Sequence, residues 1–300
     1  MSYHNSVLLK DTVDGLNIRP DGIYVDVTYG GGGHSKEILS RLSDTGKLYA
    51  FDQDADAQDN IIDDPRLVLI PENFRYIKRF LRLFGIKKVD GILGDFGVSS
   101  HQFDQADRGF STRFEARLDM RMNQNDSISA IEVLNTYEEE GLRKMFWDYG
   151  ELRNAPKLAR TLISARKNKT IESSTDLKEI LQAFLPAHKE HKILAQIFQA
   201  IRIEVNQEIQ VLKEFLQQTP ELLSPGGRLS LISYHSLEDR LVKRYIRSGL
   251  FEGEPEKDVF GNISVPFKKI NGLIVPGVEE IRQNNRARSA KLRIAERIAN

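Results

Sequence analysis

The chain contains no cysteine among its 300 residues. That absence excludes disulfide staples, cysteine-ligated zinc and any thiolate nucleophile. No apolar run approaches the roughly eighteen residues of a membrane-spanning helix, so no membrane partner is expected. The opening Met1-Ser2-Tyr3-His4-Asn5 lacks the basic-then-apolar plan of a secretory leader, and the expected location is cytoplasmic. Internal repeats and low-complexity tracts are missing as well. Net charge is zero, with 43 Lys and Arg against 43 Asp and Glu, so the sum alone gives no reason to expect a phosphate-rich partner.

The distribution of charge says more than its sum. Arg75, Lys78, Arg79, Arg82, Lys87 and Lys88 lie in one stretch without acids, and Arg153, Lys157, Arg160, Arg166, Lys167 and Lys169 form another. A third holds Arg282, Arg286, Arg288, Lys291, Arg293 and Arg297. Any one of these reads as a solvated helix face, while three on a neutral chain point to a localised basic surface.

The length exceeds the usual single domain, so a core domain with a sizeable insertion is expected. Short β-rich runs at 23–27, 47–51, 66–70 and 89–93 alternate with helical patterns at 35–42, after Asp54, and at 74–84. Such alternation signals βαβ units and a doubly wound α/β sheet. From about residue 105 the period becomes helical, with candidate helices at 129–134, 138–146, 155–165 and 177–184. Phe198, Ile201, Val205, Ile209, Leu212 and Leu216 then recur every three or four residues, the apolar face of one long amphipathic helix returning to the sheet. Pro225-Gly226-Gly227 marks a turn before a fifth strand at 228–233. Ser236, three residues before Asp239, reads as the cap of the next helix. Residues 249–278 read as loop or hairpin, and 292–294 as a last strand. The expected division is 1–104 with 206–300 as the sheet domain and 105–205 as an inserted helical domain.

The first strand runs into Gly30-Gly31-Gly32-Gly33-His34 and a helix. Glycines there let backbone N–H groups approach a ligand, and the helix start favours an anion; a flexible turn is the plain alternative. The dinucleotide fingerprint fits poorly, since G-x-G-x-x-G begun at Gly30 meets Ser35 and begun at Gly31 meets Lys36. No P-loop motif exists either. Asp52 ends the second strand, where such folds place an acid for ribose hydroxyls, although it can also cap a helix. Asp95 follows the fourth strand at the crevice edge, with a simple ion pair as its alternative role. Together these fit an adenosine cofactor without a pyrophosphate, S-adenosylmethionine before NAD.

Several longer motifs carry a resemblance. Asp26-Val27-Thr28-Tyr29-Gly30 through Ser35, Asp95-Phe96-Gly97-Val98-Ser99-Ser100, Arg108-Gly109-Phe110-Ser111 and Leu118-Asp119-Met120-Arg121-Met122 run in order along the chain. Phe198 through Asn206, Ser233 through Arg240, and Arg286-Ala287-Arg288-Ser289 follow. In these motifs the chain resembles the bacterial 16S ribosomal RNA (cytosine-N4)-methyltransferase family. The resemblance implies a Rossmann-like class I methyltransferase sheet with an inserted helical, RNA-recognition domain. It implies cofactor contacts from Gly32, Gly33, His34, Asp52, Phe74, Asp95 and Gln102, and a partner that is small-subunit ribosomal RNA or the 30S particle. Phe74 suits adenine stacking and Gln102 a hydrogen bond, against ordinary core and surface roles. Gly94, Phe96, Arg117 and Asn285 depart from the residues usual in the family.

Methylation of cytosine at C5 requires a covalent nucleophile, normally cysteine, which this chain lacks. An exocyclic amine needs only alignment with the methyl donor and an acceptor for its proton. Asp95 and His235, beside Tyr234, are the candidates nearest the reacting amine, with a structural His235 as the alternative. The target base must be unstacked or single-stranded to be reached. A methyltransferase of another substrate class, a dehydrogenase and a noncatalytic RNA-binding protein are the rival readings.

Overall fold

The β-branched and aromatic runs between glycine- and aspartate-rich turns form the strands of one sheet. In the computed structural model, which describes residues 6–113, 115–257, 260–261 and 263–299, these are β1 (Ile23–Asp26), β2 (Lys47–Phe51), β3 (Leu67–Ile70), β4 (Val89–Asp95), β5 (Leu223–Ser233), β6 (Phe267–Ile274) and β7 (Lys291–Arg297). Residues 1–5, read above for a leader pattern, lie outside that description. The strand order is β3-β2-β1-β4-β5-β7-β6. Strands β1 to β5 are parallel, and β7 runs antiparallel to both β5 and β6. The winding direction reverses between β1 and β4, which makes their carboxyl ends the expected binding crevice. Asp26 and Asp95 stand at those two ends.

Both faces of the sheet are covered, which is why its strands read as continuous apolar runs. On one face Val25, Phe51, Ile92 and Leu231 pack with Leu212, Phe215, Val242 and Tyr245. On the other, Tyr24, Leu48 and Leu93 pack with Val13, Leu16, Ile38 and Leu39. Gly94 and Phe96, the two departures next to Asp95, are one packing solution. A Cβ on Gly94 would come within 2.9 Å of the Phe96 ring, and that ring is itself buried against Phe74 and Phe215.

The chain divides into two compact units, residues 1–97 with 209–300 and residues 98–208. The second unit begins earlier than the change of period because Val98 and Phe103 already pack against its core. That core gathers Leu134, Phe146, Leu158, Leu162, Leu177, Ile197 and Ile201 from five helices, Ala130–Thr136, Glu139–Asp148, Ala155–Ala165, Ser174–Ile180 and Glu190–Asn206. Each such side chain contributes about 1.5–3 kcal/mol by leaving water. Ser129 with Glu132 and Ser173 with Asp176 close capping boxes that start two of these helices. Among the described residues no helix is long and apolar enough to cross a membrane.

Two expectations from the sequence change and a third is made definite. The single long helix over 198–216 is two, Glu190–Asn206 and Glu208–Leu222, separated by Gln207 in the left-handed region at φ 51°. Asn206 sets the break: its Oδ1 accepts from Met122 N at 2.7 Å and its Nδ2 donates to Met120 O at 2.8 Å. Arg202 then forks onto Glu208 across the break at 2.8 and 2.9 Å. A one-residue interruption leaves apolar spacing of three and four intact, so periodicity does not register it. Second, Ser236 does not cap its helix. The helix begins at Ser236 and the cap is His235, with Glu238 closing the box from the third position. Third, of the stretch 249–278, read as loop or hairpin, residues 267–274 form the edge strand β6, which pairs antiparallel with β7.

Candidate cofactor site

The loop after β1 turns at Gly32, whose φ of 75° is open to glycine and costly for other residues, and whose Cβ would strike the Tyr29 hydroxyl at 2.8 Å. Gly30 and Gly31 face empty space: a Cβ on either would meet nothing within 4 Å. The helix Gly33–Arg41 begins directly after the turn, so its first N–H groups border that space. The sequence placed this start two residues later.

Three carboxylates ring the loop, each pushed up to about 6 by burial. Asp26, at the end of β1, accepts from Ser35 Oγ at 2.8 Å and from Thr28 N at 3.0 Å, which partly offsets its desolvation. Asp52 accepts from Gly30 N at 2.7 Å and from Asp54 N at 2.9 Å, tying the end of β2 to the glycine loop. Asp95 has its backbone N–H bound to Thr28 Oγ1 at 2.7 Å. Its carboxylate accepts from the Tyr234 hydroxyl, whose own pKa rises well above the usual phenol value through burial and this contact. Asp95 Oδ1 is buried and has no partner among the described residues.

His34 sits buried in the first turn of its helix. Its Nε2 lies 3.1 Å from the Val7 carbonyl, which can only accept, so Nε2 carries hydrogen. Its Nδ1 then lies 3.8 Å from Asp95 Oδ2, too far for a direct hydrogen bond. Phe74 follows Asn73, whose side chain accepts from Arg75 N at 2.9 Å and opens a short 3₁₀ turn after β3. The half-buried Phe74 ring meets Phe215 edge-on at 5.4 Å and Phe96 at 5.9 Å.

Gly32, Gly33, His34, Asp52, Phe74 and Asp95 thus lie in the sheet unit. Gln102 lies in the other, where it is buried and closes a capping box with Ser99. His235 caps its own helix through Nδ1, which faces Glu238 N at 3.5 Å, while its buried Nε2 lies 3.1 Å from the Glu238 carboxylate with no hydrogen-bond partner among the described residues. The side chain after β5 that reaches Asp95 is Tyr234. Asp26 and Thr28 join these residues, linking the end of β1 to the glycine loop and to the Asp95 backbone, and a lone carboxylate ending the apolar first strand is the signal of it in the sequence.

The basic clusters resolve differently. In the first, Arg75 forks onto Glu214, and Lys78 and Arg82 pair with Glu221, so two acids of a distant helix offset part of the charge of its six cations. In the third, Arg293 and Lys291 share Asp239. In the second, Arg166 donates to the carbonyls of Leu134 and Tyr137 and serves the fold. Arg153, Lys157 and Lys167 remain exposed, while Arg160 donates to the Pro156 carbonyl at 3.2 Å and lies 3.8 Å from Glu139.

A sheet of this order, with an antiparallel seventh strand, a glycine loop after β1 and acids at the ends of β2 and β4, defines a Rossmann-like class I methyltransferase. The comparisons with known proteins agree. The model of the MraW methylase family matches residues 1–298, and the chain belongs to that family. It is 74% identical over 298 residues to a ribosomal RNA small subunit methyltransferase H of Christiangramia forsetii, covering 99% of each chain. It is 67% identical over 298 residues to the protein of that name in Flavobacterium johnsoniae, again covering 99% of each. A third, from Cytophaga hutchinsonii, is 57% identical over 297 residues, covering 98% of this chain and 99% of that one.

Proposed function

We propose that the chain transfers a methyl group from S-adenosylmethionine to the N4 amine of a cytosine in small-subunit ribosomal RNA, acting on the RNA itself or on the 30S particle in the cytoplasm. The observation that carries the reading is the buried, unpartnered Asp95 Oδ1 at the switch point, beside open space over Gly30 and Gly31. An unsatisfied buried acceptor costs about 1–3 kcal/mol unless a ligand completes it. The donor set suits the cofactor: carboxylates for ribose hydroxyls and for the charge of an amino or sulfonium group, and glycine N–H groups for a carboxylate.

When bound, the cofactor supplies an electrophilic methyl group on a sulfonium sulfur. In this proposal Asp52 accepts from the ribose hydroxyls, held in place by Gly30 N–H and Asp54 N–H. Gly32, Gly33 and the buried His34 shape the loop around the amino-acid end, and Phe74 lies against the adenine. Asp95 accepts a hydrogen bond from the cytosine amine, aligning the nitrogen lone pair, and its ionised form receives the proton released on transfer. Tyr234 fixes the Asp95 carboxylate, and Thr28 fixes its backbone. The second unit holds the RNA, with the target base out of its stack. His235 keeps the turn after β5 in shape. Nucleoside mass spectrometry of ribosomal RNA from cells with and without the gene tests this: N4-methylcytidine in small-subunit RNA should vanish with the gene, and its persistence would overturn the reading.

A further inference from the structure

Trp147 is the single tryptophan of the chain, and it is 52% exposed near the end of the helix Glu139–Asp148. A six-residue connection leads back through the helix Ala155–Ala165, which packs against the first. Trp147 lies in the last turn of the first helix, and Arg153 and Lys157 lie just before and within the first turn of the second, so the connection sets all three at one end of the hairpin. Lys157, Arg160 and Ser164 recur at intervals of three and four on one face of this helix, with Arg153 just before it and Lys167 just after. All five are exposed, and no Asp or Glu occurs between Leu152 and Ile171. On the first helix Arg143 and Lys144 are already paired with Glu140 and Asp148.

An exposed indole offers a flat face for stacking, and acid-free cations beside it repel one another. An unpaired nucleotide strand suits both, since bases stack on the ring and phosphates take the cations. We infer that this hairpin end binds single-stranded RNA flanking the target base, Trp147 stacking a base while Arg153 and Lys157 hold adjacent phosphates. The inference rests on the ribosomal RNA reading above and adds to it a surface in the second unit.

Because Trp147 is unique, its fluorescence reports the contact directly. The full chain would be titrated with an unstructured oligoribonucleotide of about ten nucleotides, with binding followed independently by anisotropy of labelled RNA. Saturable quenching is expected. Trp147→Ala should weaken binding roughly 5- to 150-fold, the range of a lost base stack, and Trp147→Phe should recover much of it. Joint replacement of Arg153 and Lys157 by Ala should lower the log–log salt slope by about 1.4, two phosphate contacts on a single strand. S-adenosylmethionine affinity should stay parental in every variant and certify their folds. RNA binding without quenching, or parental affinity and slope in the variants, would overturn the inference and leave the hairpin end to some other partner. If the parent methylates small-subunit RNA, only the hairpin surface is lost; if it methylates none, the functional reading falls and this inference with it.

Discussion

Asp95→Asn should make the protein more stable and almost inactive. The amide keeps the size of the carboxylate and still accepts from Tyr234, so the geometry around β4 survives. Charge is what changes. Burial pushes the Asp95 carboxyl up to about 6 from its ordinary 3.8, and a gap of about two pH units corresponds to roughly 3 kcal/mol. The sign follows from linkage: a carboxyl whose pKa is raised by folding favours the folded state when protonated. That contribution is complete below about pH 3.8 and lost as pH rises through about 6. At pH 8 the parent therefore carries the full cost of an ionised Asp95, and the variant does not. Urea unfolding at pH 8 should show the variant more stable by up to about 3 kcal/mol, the advantage shrinking toward pH 4. Single-turnover methyl transfer at saturating S-adenosylmethionine should fall by roughly 100-fold or more if Asp95 accepts from the reacting amine. If the carboxylate only holds cofactor, saturation should restore most of the rate. Equal stability at pH 8 would refute the desolvation argument, and parental rate with parental affinity would refute both roles.

Asp52→Ala should weaken S-adenosylmethionine by about 1.5–3 kcal/mol in calorimetric titration and leave RNA affinity alone, because the ribose loses a charged acceptor. With Asp52 and Asp95 both titrating near 6, cofactor binding should tighten from pH 5 to pH 7 and then level off; a flat calorimetric profile would count against ionised carboxylates as ligands. Thr28→Val should leave Asp95 N–H without its 2.7 Å partner and lower the saturated rate more than the cofactor affinity, with Thr28→Ser restoring it. Arg202→Met should destabilise the protein by about 3–5 kcal/mol in urea unfolding, because Glu208, 10% exposed, loses its fork across the helix break.

The sequence by itself determined the parallel strands, the glycine loop, the acids at two strand ends and the inserted helical region. Those features rest on local rules: apolar runs between turns, period 3.6 in helices, and a carboxylate at a strand end. Its motifs also carried the family. Tertiary structure decided what depends on groups far apart in the chain. Asn206 breaks a helix because it binds the backbone of Met120 and Met122, and no spacing rule sees a partner 84 residues away. Arg75 and Lys78 pair with Glu214 and Glu221, acids of a helix far along the chain that no local charge pattern includes. Tyr234 rather than His235 reaches Asp95, a choice between neighbours made by the direction of the turn after β5. Asp26 and Asp95, 69 positions apart, are tied through Thr28, which donates its N–H to one carboxylate and takes the backbone N–H of the other residue. Local sequence fixes which backbone a segment prefers, while the identity of each polar group's partner is settled only when burial forces every donor and acceptor to find one.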